Sequence, residues 1–378
     1  MKVLYIGCYR DGTGWAQAAI DYILSMDAAG IDVVPRPVKL NSRQVDLPER
    51  IIELEKKADT GCNICIQHVL PHMMDFNGRF EKNIALYATE TSNFKRSIWS
   101  ERINQMDEAW VINNEMKLTS ESSGVNIPIK VVPHACDVSK FSKKYQQLQI
   151  PPDGGESFVF YTIGEFNRRK NFSAFIKAFH TEFSPEEPVS ILIKTHQYGV
   201  SPETLLNQVT NMCNDIKEAL KIHPSSDDYI EDLIVTDYLH EEQVMSLHNS
   251  CDCFVMPSCG EAWCIPAFDA MGFGNTPICT NVGGMSDFLA DGGGILVDGR
   301  EEPVFGMTDT FNDIYTAKEN WISINPIVLQ NAMRRVYNLW QQNDSKYNNM
   351  QKQGIASAND YSYSSVGQKI RSVLENGN

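Results

Sequence analysis

The sequence predicts an α/β protein made of two doubly wound domains, and three observations support this prediction. Short apolar runs alternate with longer helical patterns, which is typical of βα units around a parallel sheet. The alternation stops at QIPPDGGES (149–157), whose Pro and Gly residues indicate a linker, and then resumes. The chain has 378 residues, which favours two domains because domains typically contain about 100–200 residues.

The apolar runs predict buried parallel strands, because a strand covered on both faces lacks polar alternation. In the first half they are VLYI (3–6), IDVV (31–34), NICI (63–66), IALY (84–87), AWVI (109–112) and IKVV (129–132). In the second half they are FVFYTI (158–163), VSILI (189–193), LIVT (233–236), CFVM (253–256) and TPICT (276–280). Helical patterns cover 15–29, with Gly30 as its C-cap, and 171–182, 202–221, 241–249, 266–273, 326–343, 345–358 and 364–375.

The charge balance limits the partners that this chain can bind. Asp and Glu number 48 against 33 Lys and Arg, which gives a net charge of −15. An acidic surface argues against general binding to nucleic acid or anionic membranes, since both need a basic face. The ten Cys are scattered, the opening MKVLYIGCYRDG lacks the apolar core of a signal peptide, and no run of 18 apolar residues predicts a transmembrane segment. We therefore expect a cytoplasmic protein with reduced thiols, with peripheral attachment to a membrane as the alternative.

Loops that follow strands are the places to look for function, because ligands of open α/β sheets bind beyond the carboxyl ends of the strands. The first such loop, GCYRDGTGWAQA (7–18), has Gly12 and Gly14 just before a helix. Glycines there let backbone N–H groups approach a phosphate or a sugar. An NAD fingerprint fits poorly because Gln17 stands where its third glycine belongs. A plain βα turn explains the loop equally well.

A second loop, GEFNRRKNFSAFIKAF (164–179), carries three cations. Arg168, Arg169 and Lys170 lie between a strand and a helix. Arg offers a planar fork to phosphate oxygens and Lys a point charge, and a helix N-terminus also attracts anions. A solvated charge run is the alternative, but the position directly after a strand favours phosphate binding.

A third loop leads into a helix and contains two carboxylates. Glu261 follows the strand CFVM, and Asp269 lies about one turn into the helix that Pro266 begins. Two carboxylates at this spacing can hold two hydroxyl-bearing parts of one ligand. A helix N-terminal charge is an alternative explanation for Glu261 but explains Asp269 poorly.

These segments resemble the family-4 glycosyltransferases, which are retaining, nucleotide-sugar-dependent enzymes of the GT-B fold. The family signature, Glu-Gly-Phe-Gly-x-Pro-x-x-Glu-Ala-Met and then Gly-x-Pro, is matched by EAWCIPAFDAM (261–271) and GNTP (274–277). The flanking segments CDCFVMPS and NVGG also match. More loosely, ETSNF (90–94), EAWVIN (108–113) and VVPHACDVSKF (131–141) are similar to the stretches that close the family's first domain.

The resemblance implies a GT-B architecture, in which two doubly wound Rossmann-like domains face each other across a cleft. Residues 1–148 would form the N-terminal acceptor domain and residues 149–355 the C-terminal nucleotide-sugar domain. The C-terminal helix, within 356–378, would return to the N-terminal domain.

The resemblance also implies an activity: a retaining hexosyltransferase of EC class 2.4 that moves a sugar from a UDP- or GDP-linked donor to a glycan, lipid or protein acceptor. In that activity Glu261 would hold donor-sugar hydroxyls, Asp269 the ribose, and Lys170 with Arg169 or Arg168 the diphosphate. Gly14 would approach the donor from the first domain. Further donor contacts would come from Tyr238, Leu239, Ala262, Trp263, Cys264 and Ile265. No metal or other cofactor is expected, because cationic side chains supply the electrostatic stabilisation.

The chain departs from the family pattern at several positions. Ala262 and Cys264 replace two glycines, and Glu165 stands where an Arg often occurs. A nucleotide-sugar epimerase, an NAD enzyme and a non-catalytic nucleotide-binding relative are therefore the alternative functions. On the acceptor side the candidates are His68, Glu90 and His134, each of which follows a predicted strand.

Three other features are weaker candidates. His68 and His72 have a spacing that can bind metal on a helix, but Pro71 separates them and no third ligand is evident. Cys62 and Cys65 lie in a strand run and are interpreted as buried thiols. Lys194 follows a predicted strand and either approaches the nucleotide or is solvated.

Overall fold

The computed structural model describes residues 1–40, 45–150, 157–308 and 310–376. They divide into two compact units, one within 1–140, 310–320 and 359–376 and the other within 141–308 and 321–358. Most of the predicted linker, residues 151–156, lies outside the described residues.

The described residues contain fourteen strands and twelve α-helices. The strands are β1 (Lys2–Gly7), β2 (Asp32–Pro37), β3 (Ile64–His68), β4 (Lys82–Leu86), β5 (Glu108–Val111), β6 (Ile129–Val131), β7 (Phe158–Glu165), β8 (Val189–His196), β9 (Asp232–Val235), β10 (Cys253–Met256), β11 (Ile278–Thr280), β12 (Ile295–Val297), β13 (Arg300–Pro303) and β14 (Asn320–Ser323). The helices are α1 (Gly14–Ala28), α2 (Glu49–Glu55), α3 (Trp99–Ile103), α4 (Asn114–Ser122), α5 (Phe172–Glu182), α6 (Pro202–Leu220), α7 (Glu241–Ser250), α8 (Ile265–Gly272), α9 (Gly283–Phe288), α10 (Pro326–Gln341), α11 (Ser345–Ala358) and α12 (Tyr363–Asn376).

The first unit is built on a six-stranded parallel sheet with the order β2-β1-β3-β4-β5-β6. Helix α1 begins where the Thr13 side chain accepts a hydrogen bond from the Ala16 N–H, and it ends before Gly30, whose φ of +74° suits a residue without Cβ. Helix α12 packs against α1. Its residues Val366 and Ile370 are buried in the same core, so the apolar spacing of this helix is explained by packing.

The second unit is built on another six-stranded parallel sheet, ordered β12-β11-β10-β7-β8-β9. Strand β7 is buried along nearly its whole length, which explains its uninterrupted apolar sequence. Phe158 and Phe160 on this strand pack with residues of α5, α6 and α10 in the core of the unit. Beyond β12 in sequence, β13 and β14 form a separate two-stranded pair.

The strand order places a crevice in the second unit. From β7 the chain proceeds outward through β8 and β9, and from the adjacent β10 it proceeds the other way through β11 and β12. Loops after β7 and β10 therefore diverge, and the gap between them is where such sheets bind ligands. The first sheet has the same arrangement, with β1 and β3 as the adjacent strands.

The sequence predictions of secondary structure are confirmed at every predicted strand and helix, with small differences at their ends. Several short elements were not predicted: α2, α3, α4, α9 and the strands β12, β13 and β14. Within the described residues, no helix is both long enough and apolar enough to cross a bilayer.

Candidate functional site

The two loops that leave the crevice of the second unit are joined to each other by hydrogen bonds. The Cys259 N–H donates to the Arg169 carbonyl oxygen at 2.7 Å. The Asn171 side-chain amide donates to the Pro257 carbonyl oxygen at 3.2 Å. Because one loop follows β7 and the other follows β10, these bonds fix the cations of the first loop beside the acid of the second.

Glu261 lies at the centre of a buried ionic cluster with Arg169, Lys170 and Ser258. Its Oε1 accepts hydrogen bonds from Lys170 Nζ at 2.5 Å, Arg169 Nη1 at 2.9 Å and Ser258 Oγ at 2.7 Å. Arg169 Nη1 also donates to the Gly260 carbonyl oxygen at 2.6 Å. The structure therefore brings Arg169 and Lys170 of the first loop together with Glu261 of the other loop, within one unit and at the crevice.

Local backbone features hold the cations in place. The side chain of Asn167 accepts from the Lys170 N–H and caps a 3₁₀ turn that spans Arg168–Lys170. Asn171 then adopts a left-handed conformation with φ of +53°, which turns the chain into α5. Gly164 packs against the aliphatic part of Lys170, since a Cβ at Gly164 would lie 3.5 Å from Lys170 Cδ.

The cations keep Glu261 ionised although it is buried. Burial alone would raise the pKa of its carboxyl, but the positive charges of Lys170 and Arg169 and the hydrogen bonds from Lys170 and Ser258 outweigh burial and lower it. The three ions of the cluster, Glu261, Arg169 and Lys170, are thus paired inside the protein, which is the arrangement that buried ions require.

Arg168 differs from its two neighbours because its side chain is exposed. It packs beside the chain segment that follows β13, where a Cβ on Gly306 would lie 3.3 Å from Arg168 Cγ. This segment lies between β13 and β14, and no motif in the sequence indicates its contact with Arg168.

Asp269 lies in α8, as predicted, and its side chain is buried. Burial is the main reason why the pKa of the Tyr161 phenol is raised, and the negative charge of Asp269 raises it further. The Tyr161 hydroxyl in turn lies 2.7 Å from His248 Nδ1 and accepts a hydrogen bond from the Asn275 side-chain amide at 2.7 Å. Asp269 therefore lies near the face of β7 that carries Tyr161.

The segment between the two acids is buried and partly strained. Cys264 stands where the glycosyltransferase signature has its second glycine, and it has φ of +71°, a region that glycine occupies without strain. The backbone conformation thus explains why glycine suits this position. Trp263 packs its ring against Phe268 and Phe288 at centroid distances of 5.6 and 5.1 Å. Ala262 is buried beside it, and Ile265 begins α8.

Gly284, in the segment NVGG, supports the loop that carries Glu261. Its N–H donates to the Ala262 carbonyl oxygen at 3.1 Å. A Cβ on Gly284 would lie 2.6 Å from Trp263 Cε3 and 2.8 Å from Ala262 O, distances that the folded backbone does not allow.

We expect the substitution Gly284→Ala to destabilise the protein by about 1–3 kcal/mol, the usual cost of forcing an extra methyl group into a packed site. Urea unfolding measures the effect. Gly78→Ala is the matched control, because the nearest atom to a Cβ there, Phe76 Cε1, is 4.0 Å away. Equal unfolding midpoints for the two variants would contradict the packing argument.

Tyr238 and Leu239 follow β9 in the same sheet. The Tyr238 side chain is exposed and its ring lies edge-on to His240, with centroids 5.3 Å apart. Leu239 is half-buried. Strand β9 is separated from β7 by β8. Because the strands are parallel, its carboxyl end lies at the same end of the sheet as the ionic cluster.

Two of the acceptor-side candidates, His68 and His134, meet in the first unit. Tyr22 makes edge-on contacts with both imidazoles, at centroid distances of 5.6 and 6.1 Å. Trp15 stacks on His68 at 5.0 Å, and His134 Nε2 lies 3.2 Å from Asp21 Oδ2. Burial, with a smaller effect of His134, lowers the pKa of His68 to about 3. His68 is therefore neutral at physiological pH.

The third candidate, Glu90, has a partner that sequence reasoning missed. The hydroxyl of Tyr315 donates a hydrogen bond to Glu90 Oε2. The contact is part of a longer association, in which the Ser92 N–H donates to Asn320 O and the Asn320 N–H to Ser92 Oγ, both at 2.8 Å. Phe311 likewise contacts His72 at a ring-centroid distance of 4.9 Å. No local sequence motif predicts such contacts, because the residues are more than two hundred positions apart.

Gly14, the donor contact predicted from the first unit, is the first residue of α1 and is exposed. Among the described residues, no atom outside its immediate neighbours lies within 4 Å of a Cβ built there. The structure does not test the predicted donor contact, so the role of Gly14 stays a prediction.

The ten cysteines are free and buried. Cys62 and Cys65 are among them, which confirms the interpretation as buried thiols. Burial raises the pKa of Cys65 and of Cys264 to about 12, so both remain protonated. In the described part of the chain, no three His, Cys, Asp or Glu side chains are grouped in a way that could hold a metal ion.

Comparison with known protein families identifies the part of the chain that contains Glu261 and Asp269. Residues 217–305 match the family model of the glycosyl transferases group 1. This segment is therefore similar to the group 1 glycosyl transferases. The group 1 segment includes the loop after β10 and helix α8, but it does not reach Arg169 and Lys170.

A curated glycosyltransferase is similar to part of this chain. The D-inositol 3-phosphate glycosyltransferase of Paenarthrobacter aurescens (strain TC1) is 34% identical over 100 residues. The matched stretch spans 24% of this chain and 24% of that relative, about a quarter of the relative's length.

Solved structures match over the whole chain and show the fold. Sucrose-phosphate synthase from Thermosynechococcus elongatus has a TM-score of 0.67 at 12% identity, with 100% of this chain and 98% of that one covered. An apo structure of OtsA has a TM-score of 0.69 at 8% identity, with 99% of each chain covered. HepE from Anabaena in complex with UDP-glucose has a TM-score of 0.64 at 11% identity, with 100% of each chain covered. The two Rossmann-like sheets, together with these matches, show that the fold is GT-B, as the resemblance implied.

Proposed function

We propose that this chain is a glycosyltransferase that moves a hexosyl group from a nucleotide-sugar, UDP- or GDP-linked, to an acceptor with retention of anomeric configuration. The observation that carries the proposal is the cluster of Arg169 and Lys170 with Glu261 at the switch point of the second sheet. The group 1 segment contributes Glu261 to this cluster. The solved complex of HepE with UDP-glucose, a protein of the same fold, supports a UDP-linked donor.

The chemistry of glycosyl transfer makes use of such a cluster. When the bond between the sugar C1 and the diphosphate oxygen breaks, negative charge builds up on the departing nucleoside diphosphate. Lys170 and Arg169, already desolvated and held in position, would stabilise that charge without reorganising at the moment of reaction. The N-terminus of α5, directly after them, adds a favourable dipole. Cationic side chains thus supply the electrostatic stabilisation, and no metal is required.

Glu261 has two tasks in this proposal. In the structure, its carboxylate aligns the Lys170 ammonium and the Arg169 guanidinium. With a donor bound, the diphosphate would compete for both cations, and the carboxylate would accept hydrogen bonds from hydroxyl groups of the sugar. Glu261 is therefore assigned to donor positioning, and no residue is assigned as a general base.

The remaining donor contacts follow from the layout of the sheet. Asp269 would hold the ribose hydroxyls, and backbone groups at Tyr238 and Leu239 would contact the base. Ala262, Trp263, Cys264 and Ile265 would line the donor through their backbone, because the Trp263 ring is committed to the packing against Phe268 and Phe288. Arg168, which is exposed, would add charge at the rim of the site.

The first unit would bind the acceptor. His68, on which the Trp15 ring stacks, and His134 are the candidates for contacts with acceptor hydroxyls. Gly14 is the candidate for an approach to the donor. Glu90 would have to exchange its hydrogen bond with Tyr315 in order to contact an acceptor.

A donor screen tests the proposal. A ligand that binds only the folded state raises the melting temperature, so UDP-, GDP- and ADP-linked sugars and NAD are compared by thermal shift on the full chain. We expect a shift of several degrees with one UDP- or GDP-sugar and none with NAD. The anomeric configuration of the released or transferred sugar is then read by NMR. Binding of NAD alone, or inversion at C1, would contradict the proposal.

A further inference from the structure

Lys194 is a buried cation that no part of the proposed chemistry uses. It lies near the carboxyl end of β8 and is only 5% exposed. The alternative of a solvated lysine is therefore wrong. A buried ammonium is unfavourable unless it is paired or hydrogen-bonded, so its presence at the ligand-binding edge of a sheet requires an explanation.

The hydrogen-bonding capacity of this ammonium is mostly unused. Lys194 Nζ donates to the Thr195 carbonyl oxygen at 2.9 Å. An ammonium has three N–H donors, and within the described ranges no second acceptor and no ion-pair partner is found within bonding distance of Nζ. Burial lowers the pKa of Lys194 to about 8, although the charge of Asp237 acts in the opposite direction.

The position of Lys194 lies between the two ends of the proposed nucleotide site. In the parallel sheet it is in register with Ile163 on β7 and with Val235 on β9. The loop after β7 carries the cations proposed for the diphosphate. The loop after β9 carries Tyr238 and Leu239, proposed for the base.

Lys194 also lies on the face of the sheet where the proposed ribose contact, Asp269, is found. Residues in register on parallel strands point to the same side, so Lys194 shares a face with Ile163 and, two residues earlier on β7, with Tyr161. Helix α8, which carries Asp269, is linked to this face by Asn275. The Asn275 N–H donates to the Ala270 carbonyl oxygen in α8 at 3.0 Å, and the Asn275 side-chain amide donates to the Tyr161 hydroxyl at 2.7 Å. The residue proposed for the ribose and Lys194 therefore lie on the same side of the sheet.

We propose that Lys194 recognises the nucleobase of the donor, by donating a hydrogen bond from Nζ to a ring carbonyl oxygen of a keto base such as uracil or guanine. This inference rests on the proposed function, since it assigns one part of the same donor site. An ammonium can only donate, so a Lys194 placed to meet a carbonyl oxygen favours uracil or guanine over adenine, whose acceptors are ring nitrogens at other positions. The ligand class is thus a nucleoside diphosphate with a keto base.

The substitution Lys194→Met separates a binding role from a structural one. Met preserves the length of the side chain and removes the buried charge. A residue held for ligand binding destabilises the free protein, so the variant without ligand should melt at the same or a higher temperature than wild type. A residue needed for folding would show the opposite change.

Isothermal titration of the full chain with UDP, GDP and ADP tests the inference. For wild type we expect tighter binding of UDP or GDP than of ADP. In Lys194→Met the affinity for the preferred nucleotide should fall about 10- to 100-fold, as expected for loss of a charged hydrogen bond, while ADP affinity changes less than about twofold. Lys177→Met, at an exposed position of α5, is the control and should bind as wild type does.

The outcomes distinguish the inference from the proposed function. If wild type binds a keto nucleotide and Lys194→Met binds it equally well, or loses UDP, GDP and ADP to the same extent, the inference fails and the proposed function stands. If the variant melts well below wild type, Lys194 is structural and the inference fails. If wild type binds none of the three nucleotides, the proposed function fails and the inference fails with it.

Discussion

Replacing Lys170 with Ala should lower turnover of the nucleotide-sugar donor by about 100- to 1000-fold, the effect typical of removing one group that stabilises a developing negative charge. The loss should appear mainly in kcat, because the charge on the diphosphate oxygen increases as the bond to C1 breaks. The protein should remain folded. Glu261 keeps its hydrogen bonds from Arg169 and Ser258 in the variant, so no unpaired charge is left in the interior.

Two further variants make this result specific. Lys177→Ala removes a lysine from an exposed position in α5, the helix that follows Lys170, and should leave turnover unchanged. Lys170→Arg retains the charge but changes its geometry, and it should recover only part of the lost activity. Donor hydrolysis and transfer are followed by release of the nucleoside diphosphate, and circular dichroism verifies the fold. Wild-type turnover in Lys170→Ala would remove Lys170 from the mechanism and leave the ionic cluster as a structural feature.

The sequence was sufficient to predict the sheets because their strands are buried on both faces. Runs such as FVFYTI and CFVM have no polar alternation, and Gly and Pro interrupt the chain between them. Helices were equally clear where a cap and an apolar stripe coincide, as at α6, where the Ser201 side chain caps the helix and Pro202 begins it. The strands β13 (REEP) and β14 (NWIS) contain no apolar run, and the apolar run of β12 is limited to ILV.

The loops after the strands could be predicted as functional, but their contacts could not. From the sequence, Arg169, Lys170 and Glu261 could be placed in loops that follow strands. That these two strands, β7 and β10, are neighbours in the sheet was known only from the structure. Nothing local indicated that one carboxylate oxygen would accept from both cations and from Ser258. The same holds for Tyr315 and Glu90, which are separated by 225 positions. The positive φ of Cys264 could not be predicted from the residue type, because cysteine rarely adopts this conformation.

A second ionic group in the same unit has a different purpose, since it lies at the beginning of β9 and not at the carboxyl edge of the sheet. Asp232 accepts hydrogen bonds from His180 Nε2 at 2.8 Å and from Lys217 Nζ, whose nitrogen lies 2.6 Å from Asp232 Oδ2. All three side chains are nearly inaccessible, with exposures of 1–6%. The carboxylate thus connects α5 and α6 to the sheet inside the core.

We expect Asp232→Ala to reduce the free energy of unfolding by about 3–5 kcal/mol at neutral pH, because it leaves the charge of Lys217 buried without its counter-ion. Asp227→Ala, at an exposed position before β9, should change stability by less than about 0.5 kcal/mol and serves as the control. Urea unfolding followed by tryptophan fluorescence measures both. A loss below 1 kcal/mol would mean that water reaches Lys217 and that the three side chains do not act as a buried unit.

The pH dependence of the difference between wild type and Asp232→Ala provides an independent check. Burial tends to raise the pKa of Asp232, but the hydrogen bonds and charges of His180 and Lys217 outweigh it, so the pKa in the folded protein lies below its usual value. A carboxyl whose folded pKa is lowered contributes stability above the unfolded pKa, about 3.9, and loses this contribution as the pH falls through the folded value. The difference should therefore be nearly constant from pH 8 to pH 5 and shrink below about pH 4. A difference that grew on acidification would show that the carboxyl is protonated in the native state and that the cations are paired elsewhere.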